Sequence, residues 1–372
     1  MFSELVKDVD ITQYLSLINS SQITTTIISN VLSKETINFH EFLLLLSNEA
    51  KPFIPQMVNK SKLLKKKYFG NTVQIYMPIY LSNECVNGCL YCSFNASSSI
   101  VRKTLSFQEL EKEFIYIKAL GIDSVLLLTG ESPKSAGVDY ISECIKIANN
   151  YFSYVSLEIH PCSKNDYSSL INAGASGLTL YQETYNKILY TKLHPYGPKK
   201  DYSFRLSALE HAMVAGFRKI GVGALLGLNN WREDIVMLAL HIKYIQKKFW
   251  KSDITISFPR IKNYLPFLYP VSDSDFIQMI LALRLLFPTV GITLSTREAA
   301  PLRDYLLDVC ITQLSVASKT NPGGYSHAQS TEQFAVFDDR NMSDILIMLS
   351  KKDIDPITKD WSSVFKEIKN EN

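Results

Sequence analysis

Three observations predict the fold class of this 372-residue chain. Beyond residue 70, short apolar runs rich in β-branched and aromatic residues alternate with longer helical patterns, the texture of repeated βα units on a parallel sheet. There are eight such runs, enough to close a barrel. The first 70 residues, by contrast, carry helical spacing with no strand signal. The expectation is an α/β protein, a (β/α)8 TIM-type barrel over residues 71–330. An N-terminal helical extension (1–70) precedes it, and a short C-terminal extension (331–372) packs on it. A barrel of this type uses about 250 residues, which leaves roughly 120 for additions.

In the extension, Phe39, Phe42, Leu43 and Leu46 recur at helical spacing, and Lys62, Lys65, Lys66 and Lys67 read as a solvated helix face. The strand runs are 73–81, 124–128, 154–159, 177–181, 219–225, 254–258, 291–294 and 311–316. Helical patterns fall between them at 107–120, 138–150, 165–173, 202–215, 232–247, 273–287 and 301–307. Segments 195–201 and 321–325 read as Gly/Pro loops. A doubly wound open sheet is the competing arrangement. The glycines at 221, 223 and 227 lie inside a strand run with the wrong spacing for a dinucleotide fingerprint, so that reading is rejected.

Composition narrows the function. With 46% hydrophobic and 20% charged residues, the chain is neither disordered, collagen-like nor a disulfide scaffold. Its 39 Lys plus Arg against 36 Asp plus Glu are too balanced for a nucleic-acid binder driven by counterion release, so a small substrate is expected. Charged residues at Glu4, Lys7, Asp8 and Asp10 argue against a secretory signal. Gln278, Arg284 and Pro288 interrupt the longest apolar stretch before the ~18 residues a membrane span needs. A soluble, cytoplasmic protein without membrane contact is expected, with its cysteines serving metal or catalysis.

In a barrel, chemistry sits just beyond the C-terminal strand ends. The first such loop holds Cys85, Cys89 and Cys92, with Asn87 and Gly88 allowing tight turns. Three cysteines without a nearby fourth ligand do not make a closed structural zinc site. They suit a [4Fe-4S] cluster with one iron left for substrate or cofactor. Cys144, Cys162 and Cys310 read as incidental buried thiols. Other strand ends carry Thr129, Gly130 and Glu131; Glu158; Gln182 and Glu183; Ser295, Thr296, Arg297 and Glu298; and Ser315 to Ser318.

The string Cys85, Cys89, Tyr91, Cys92 resembles the signature of radical S-adenosylmethionine enzymes. In that superfamily the open iron is chelated by S-adenosylmethionine, and an electron splits the sulfonium to a 5′-deoxyadenosyl radical. From about residue 70 to Trp361 the likeness sharpens. Segments 127–131, 181–185, 256–260, 294–298 and 318–325, with Gln333, Phe334, Asp338, Asp339 and Arg340, resemble the 2-iminoacetate synthases, the tyrosine lyases of thiamine biosynthesis. The resemblance implies cleavage of the Cα–Cβ bond of L-tyrosine to 2-iminoacetate (dehydroglycine) and p-cresol. S-adenosylmethionine would yield 5′-deoxyadenosine and methionine. It also implies a thiazole synthase partner and a reductant such as flavodoxin or ferredoxin.

By the same resemblance, Gly130 and Glu131 meet the amino end of S-adenosylmethionine and Tyr91 packs beside its adenine. Glu158 accepts from the ribose hydroxyls, and Arg205 pairs with the methionine carboxylate. Arg297 is the expected clamp for the tyrosine carboxylate, since a planar guanidinium grips a carboxylate through two parallel hydrogen bonds. Ser295 and Ser315 hold the substrate or merely satisfy backbone. Glu183 serves cofactor or substrate. The hydrogenase-maturation tyrosine lyase carries further cysteines near its C-terminus, whereas none follows Cys310 here, so the thiamine reading is preferred. Tryptophan lyases share the core and stay open. Biotin-synthase-like sulfur insertion lacks its extra cysteines. A non-catalytic, cluster-bearing partner of thiazole synthase would be expected to have lost these motifs, which are intact.

Overall fold

Each apolar run becomes a strand of one closed sheet in the computed structural model, which describes residues 1–262, 269–326 and 329–359. The strands are β1 (Thr72–Ser82), β2 (Ser124–Thr129), β3 (Tyr154–Glu158), β4 (Gly177–Tyr181), β5 (Lys219–Gly223), β6 (Asp253–Ser257), β7 (Gly291–Leu294) and β8 (Gln313–Ser315). All neighbours pair in parallel and in sequence order, and β1 closes the ring against both β8 and β2. The (β/α)8 expectation holds and the open-sheet alternative falls.

Strand period decides what each face buries. Val73, Ile75, Ile220, Val222, Ile254 and Ile256 are all but fully buried and belong to the main core. Positions between them line the lumen: Gln74, Thr179, Thr255, Thr293 and Gln313 surround a cavity of about 70 Å³ low in the barrel. Gly221 lies on that wall because a Cβ there would collide with the Thr179 side chain.

The helical patterns appear as Phe107–Ala119, Val138–Asn149, Lys164–Asn172, Tyr202–Ala215, Trp231–Lys248, Asp273–Leu286 and Ala300–Leu307. Ser106 with Glu109 and Ser163 with Asp166 form capping boxes that satisfy otherwise orphaned N–H groups. Two elements between β4 and β5 went unpredicted. Lys187–Leu193 is a two-turn helix started by the Asn186 cap, and a short 3₁₀ turn, Pro198–Lys200, interrupts the predicted loop.

Residues 1–70 form the helices Phe2–Leu5, Ile11–Ile18, Thr25–Ser33, Phe39–Leu45 and Ile54–Phe69 with intervening turns. They clad the outer helices: Phe2 stacks on His241 at 4.2 Å, and its N–H donates to Glu210 at 2.6 Å. The Gln278 amide donates to the carbonyls of Leu45 and Ser47. One expectation is overturned here. Lys62, Lys66 and Lys67 are exposed, but Lys65 is buried with its ammonium on the Leu307 carbonyl. It follows Met57 and Ser61 at four-residue intervals, so it shares their inward face.

After β8 the chain crosses the barrel mouth, then forms helix Met342–Lys351 and a ninth strand, β9 (Asp355–Ile357). β9 pairs with Thr72–Gln74, and the Thr358 carbonyl accepts from the Asp123 N–H, which fills the gap between β1 and β2 at the barrel foot. The last part of the C-terminal extension, with Trp361, lies outside the described residues.

Candidate active site at the barrel mouth

β1 is the longest strand because its lower half, residues 72–76, pairs with β9 and β8, while its upper half, residues 77–82, pairs with β2 and hands the chain to the cysteine loop. The register slips between Tyr80 and Ser82, and Ser82 then bridges Thr104. The loop is pinned from three sides. The Arg102 guanidinium donates to the carbonyls of Asn83, Phe94 and Asn95 at 2.6–2.9 Å. Val86 N–H donates to the Glu131 carbonyl, and Gly88 N–H and Leu90 N–H donate to Tyr196 and Leu193. Tyr196 covers Gly88 so closely that a Cβ there would strike its ring.

Asn87 sits at the centre of this arrangement and is fully inside. Its amide donates to Glu131 Oε2 at 2.6 Å and lies 3.7 Å from Cys85 Sγ, while its oxygen accepts from Lys199 N–H at 2.8 Å. Gln333 Nε2 lies 3.8 Å from Cys92 Sγ. Two of the three thiols therefore face amide N–H groups, the contact by which a protein tunes cluster sulfurs. Burial pushes the Cys89 thiol up to about 11, and Cys92 rises for the same reason. Among the described residues no group of three or more His, Cys, Asp or Glu side chains gathers closely enough for a single ion. Thiols spread along one loop suit the corners of a cluster instead. Cys144, Cys162 and Cys310 are buried elsewhere, each pushed up to about 12 by burial.

Beside the loop lies a cavity of about 370 Å³. Its wall brings together Tyr91 and Cys92 from the cysteine loop, Glu158 from β3, Glu183 beyond β4, and Ser295, Arg297 and Ser315 from β7 and β8. Gly130, Glu131 and Arg205 stand just behind it. A Cβ on Gly130 would strike the Glu84 carbonyl, so this position holds the loop close. Arg205 is buried; its Nε donates to the Tyr181 carbonyl at 2.8 Å and its Nη2 to Glu183 Oε1 at 3.0 Å. It is therefore not the surface residue its helical setting allowed.

Glu183 adopts a left-handed backbone, φ 70°, which turns its carboxylate inward to Lys199 at 2.7 Å as well as Arg205. Burial opposes its charge, but the two cations prevail and hold its carboxyl below the usual range. Glu158 has no such pair: burial and the neighbouring Glu183 push it up to about 7 against the pull of Arg297. The two carboxyls thus differ in readiness to carry a proton near neutrality. Tyr91 is fixed by a 2.8 Å hydrogen bond between its hydroxyl and His194 Nε2, and His194 Nδ1 lies 2.7 Å from the Tyr190 carbonyl. Burial and Lys199 depress His194 to about 3, so its ring is neutral, donating through Nδ1 and accepting from the phenol.

Arg297 stands on the face of Phe334, 3.4 Å from the ring centroid, and makes no ion pair with any described carboxylate. Ser295 Oγ accepts from Arg297 N–H at 3.4 Å and Ser315 Oγ from Thr296 N–H at 3.2 Å, so both hydroxyls satisfy backbone while also facing the cavity. Phe334 and Gln333 belong to the segment crossing the mouth. Tyr80 donates to Gln333 Oε1 at 2.7 Å and Ser93 to its carbonyl, while Phe337 N–H donates to Thr296. Asn87, His194 and Lys199 had no place among the predicted site residues. Asn87 was visible only as a turn residue and Lys199 only as part of the loop 195–201, while His194 drew no reading.

Comparison with known proteins agrees with this geometry. The radical SAM superfamily model matches residues 79–240, and the Biotin and Thiamin Synthesis associated domain matches 265–355. The 2-iminoacetate synthases of Escherichia coli (strain K12) and Salmonella typhimurium are each 36% identical over 345 residues, 91% of this chain and 92% of theirs. The FeFe-hydrogenase maturase HydG from Carboxydothermus hydrogenoformans superposes with a TM-score of 0.87 at 29% identity, over 96% of this chain and 85% of that one. Methylornithine synthase (PylB), at 21% identity and a TM-score of 0.70, shares the fold. A cysteine-loop barrel similar over nearly its whole length to these synthases belongs to the 2-iminoacetate synthase family of the radical SAM superfamily.

Proposed function

We propose that this protein is a tyrosine lyase that cleaves the Cα–Cβ bond of L-tyrosine to 2-iminoacetate and p-cresol, supplying thiazole assembly for thiamine. The observation that carries this reading is Arg297: a guanidinium with no carboxylate partner among the described residues, lining the same cavity as Tyr91 and Cys92 of the cysteine loop. Cys85, Cys89 and Cys92 would hold the [4Fe-4S] cluster. When bound, cluster and S-adenosylmethionine supply a 5′-deoxyadenosyl radical, a species able to take hydrogen from an amino acid.

The remaining work belongs to side chains of this chain. Arg297 grips the substrate carboxylate, with Ser295 and Ser315 beside it, and the Phe334 ring keeps the guanidinium planar to its target. This fixes the amine on the side of the cavity facing Tyr91 and Glu158, so orientation selects the bond that breaks. Tyr91, held by His194, and Glu158 line the space for adenine and ribose; Gly130, Glu131 and Arg205 border the amino-acid end of the cofactor. Gln333 and Phe334 roof the cavity and limit water. Thiazole synthase as acceptor of the hydrolysable product, a protein reductant and a cytoplasmic setting complete the reading.

Among the described residues no helix is long and apolar enough to cross a membrane. Anaerobically reconstituted, reduced protein given S-adenosylmethionine and tyrosine is expected to release 5′-deoxyadenosine and p-cresol in step. Deoxyadenosine without p-cresol, or turnover with tryptophan alone, overturns the assignment.

A further inference from the structure

The site described above needs electrons one at a time, and of its three cysteines Cys89 is buried, beneath a particular piece of surface, while Cys85 and Cys92 are half-buried. Directly outside Cys89 lie Val86 and Leu90, 42% and 48% exposed, with Tyr196 (45%) packed over Gly88. The adjoining helix Lys187–Leu193 adds Ile188, 73% exposed. The two segments are one surface, because Gly88 and Leu90 donate to the carbonyls of Tyr196 and Leu193 and Gly197 packs against Val86 and Asn87. Leu90 also reaches the cavity wall.

The exposed charges of the segment 184–200 have one sign, although Asp201 follows it directly and the Glu233 carboxylate accepts from Asn186 behind it. Residues 184–200 contain four lysines and no Asp or Glu, in a chain whose overall charge is only +3. Lys199 is consumed internally by Glu183. Lys187, Lys192 and Lys200 are exposed and make no ion pair with any described residue. Lys192 follows Ile188 by four residues on the same helix face. An apolar centre rimmed by unpaired cations, one loop's thickness from the cysteine thiols, is complementary to a small acidic protein.

We propose that the surface formed by Val86, Leu90, Ile188 and Tyr196 with Lys187, Lys192 and Lys200 is the docking face for an acidic one-electron carrier protein of the flavodoxin class. This rests on the iron–sulfur reading of the site. In the step it serves, a flavin hydroquinone gives up one electron, becoming the semiquinone with loss of a proton to solvent, and the protein's iron–sulfur site gains that electron. Such encounters are small and transient, and charge acts mainly on their association rate.

The test uses the full-length reconstituted protein and its triple variant K187E/K192E/K200E, each driven either by dithionite or by recombinant flavodoxin hydroquinone. With dithionite both proteins are expected to form deoxyadenosine at the same rate. With flavodoxin the variant is expected to be slower by at least about tenfold at low salt, the range in which steering acts. The unmodified protein's flavodoxin-driven rate is expected to fall with added salt, and the variant's to be flat. Oxidised flavodoxin titrated calorimetrically onto each protein provides a readout independent of turnover, with weaker binding expected for the variant. An Ile188→Glu variant probes the apolar centre without touching the lysines and is expected to weaken the same binding. Equal flavodoxin rates and equal binding overturn the proposal, as does a variant that loses flavodoxin-independent turnover to the same degree. Unchanged flavodoxin coupling with lost binding to thiazole synthase also overturns it, assigning the face to that partner. Failure of the unmodified protein to cleave S-adenosylmethionine with dithionite would instead overturn the reading of the site itself.

Discussion

Replacing Arg297 by Gln should move stability and substrate affinity in opposite directions. In the absence of substrate, the guanidinium is held in the cavity wall over the Phe334 face with no carboxylate paired to it, and burial lowers its affinity for a proton against the weaker pull of groups such as Tyr80 and Glu158. An unpaired buried cation costs several kcal/mol, of which a cation–π contact returns about 1–2. Contact with cavity water returns more, so the net gain on removing the charge is about 1 kcal/mol, and the melting temperature of the unliganded protein should rise by about one degree. The loss appears when tyrosine binds. Removing one partner of a buried charge-assisted pair costs roughly 2–5 kcal/mol, which at about 1.4 kcal/mol per decade weakens tyrosine binding by a factor of about 30 or more. Thermal melts with and without tyrosine report both effects, since a ligand at a hundred times its dissociation constant stabilises by about 2.7 kcal/mol. The unmodified protein should shift upward with tyrosine and the variant should not. A variant that melts well below the unmodified protein, or one that retains the tyrosine shift and an unchanged KM for p-cresol release, refutes the role given to Arg297.

Cys89→Ala should remove the visible absorption of the reconstituted protein and all deoxyadenosine formation while leaving the far-ultraviolet circular dichroism unchanged; retained absorption would place the cluster elsewhere. His194 is held down to about 3, against about 6.5 when unfolded, so only the unfolded chain takes its proton between those values and stability falls as pH drops from about 6 to 4. His194→Gln should remove about 1.4 kcal/mol per pH unit from that slope in urea unfolding. Lys65 is depressed to about 8 by burial, so the folded protein gains stability as pH rises from about 8 to 10.5. Lys65→Met should abolish that rise and stabilise the protein at pH 7, as read from urea midpoints.

The barrel was legible because its signal is repeated eight times and because each strand is read through period two and each helix through period 3.6. β9 and the helix Lys187–Leu193 were not, for opposite reasons. β9 is three exposed residues whose only warrant is the gap at the foot of β1 and β2, a tertiary fact. The helix begins at an Asn cap in a polar stretch, where local pattern is weakest. Lys65 shows the same limit in reverse. Its neighbours Lys66 and Lys67 made it look solvated, and only its four-residue spacing from Ser61 and Met57 marked it as inward.

Within the site, the legible residues are mostly those whose chemistry is carried by their own side chain: three thiols, two guanidiniums, three carboxylates. The illegible ones act through something else. Asn87 matters because it joins Glu131, the Cys85 sulfur and the Lys199 backbone, and His194 because it holds Tyr91. Lys199, with Arg205, decides which of two neighbouring carboxyls is charged: burial pushes both Glu183 and Glu158 up, and only Glu183 has these cations to hold it down. A connector has no sequence signature of its own, since its residue type is set by partners on other segments, such as the Lys199 N–H for Asn87 and the Tyr91 hydroxyl for His194. The cysteine loop and the segment 187–200 are separate in sequence but form one folded unit, and the segment serves that unit on both sides. Its inner side supplies Lys199 to the cavity wall and His194 to the hydroxyl of Tyr91, and its outer side presents Lys187, Lys192 and Lys200 to solvent. A substitution that shifts this segment should therefore disturb cofactor binding and reduction together, whereas one confined to its exposed lysines should disturb reduction alone.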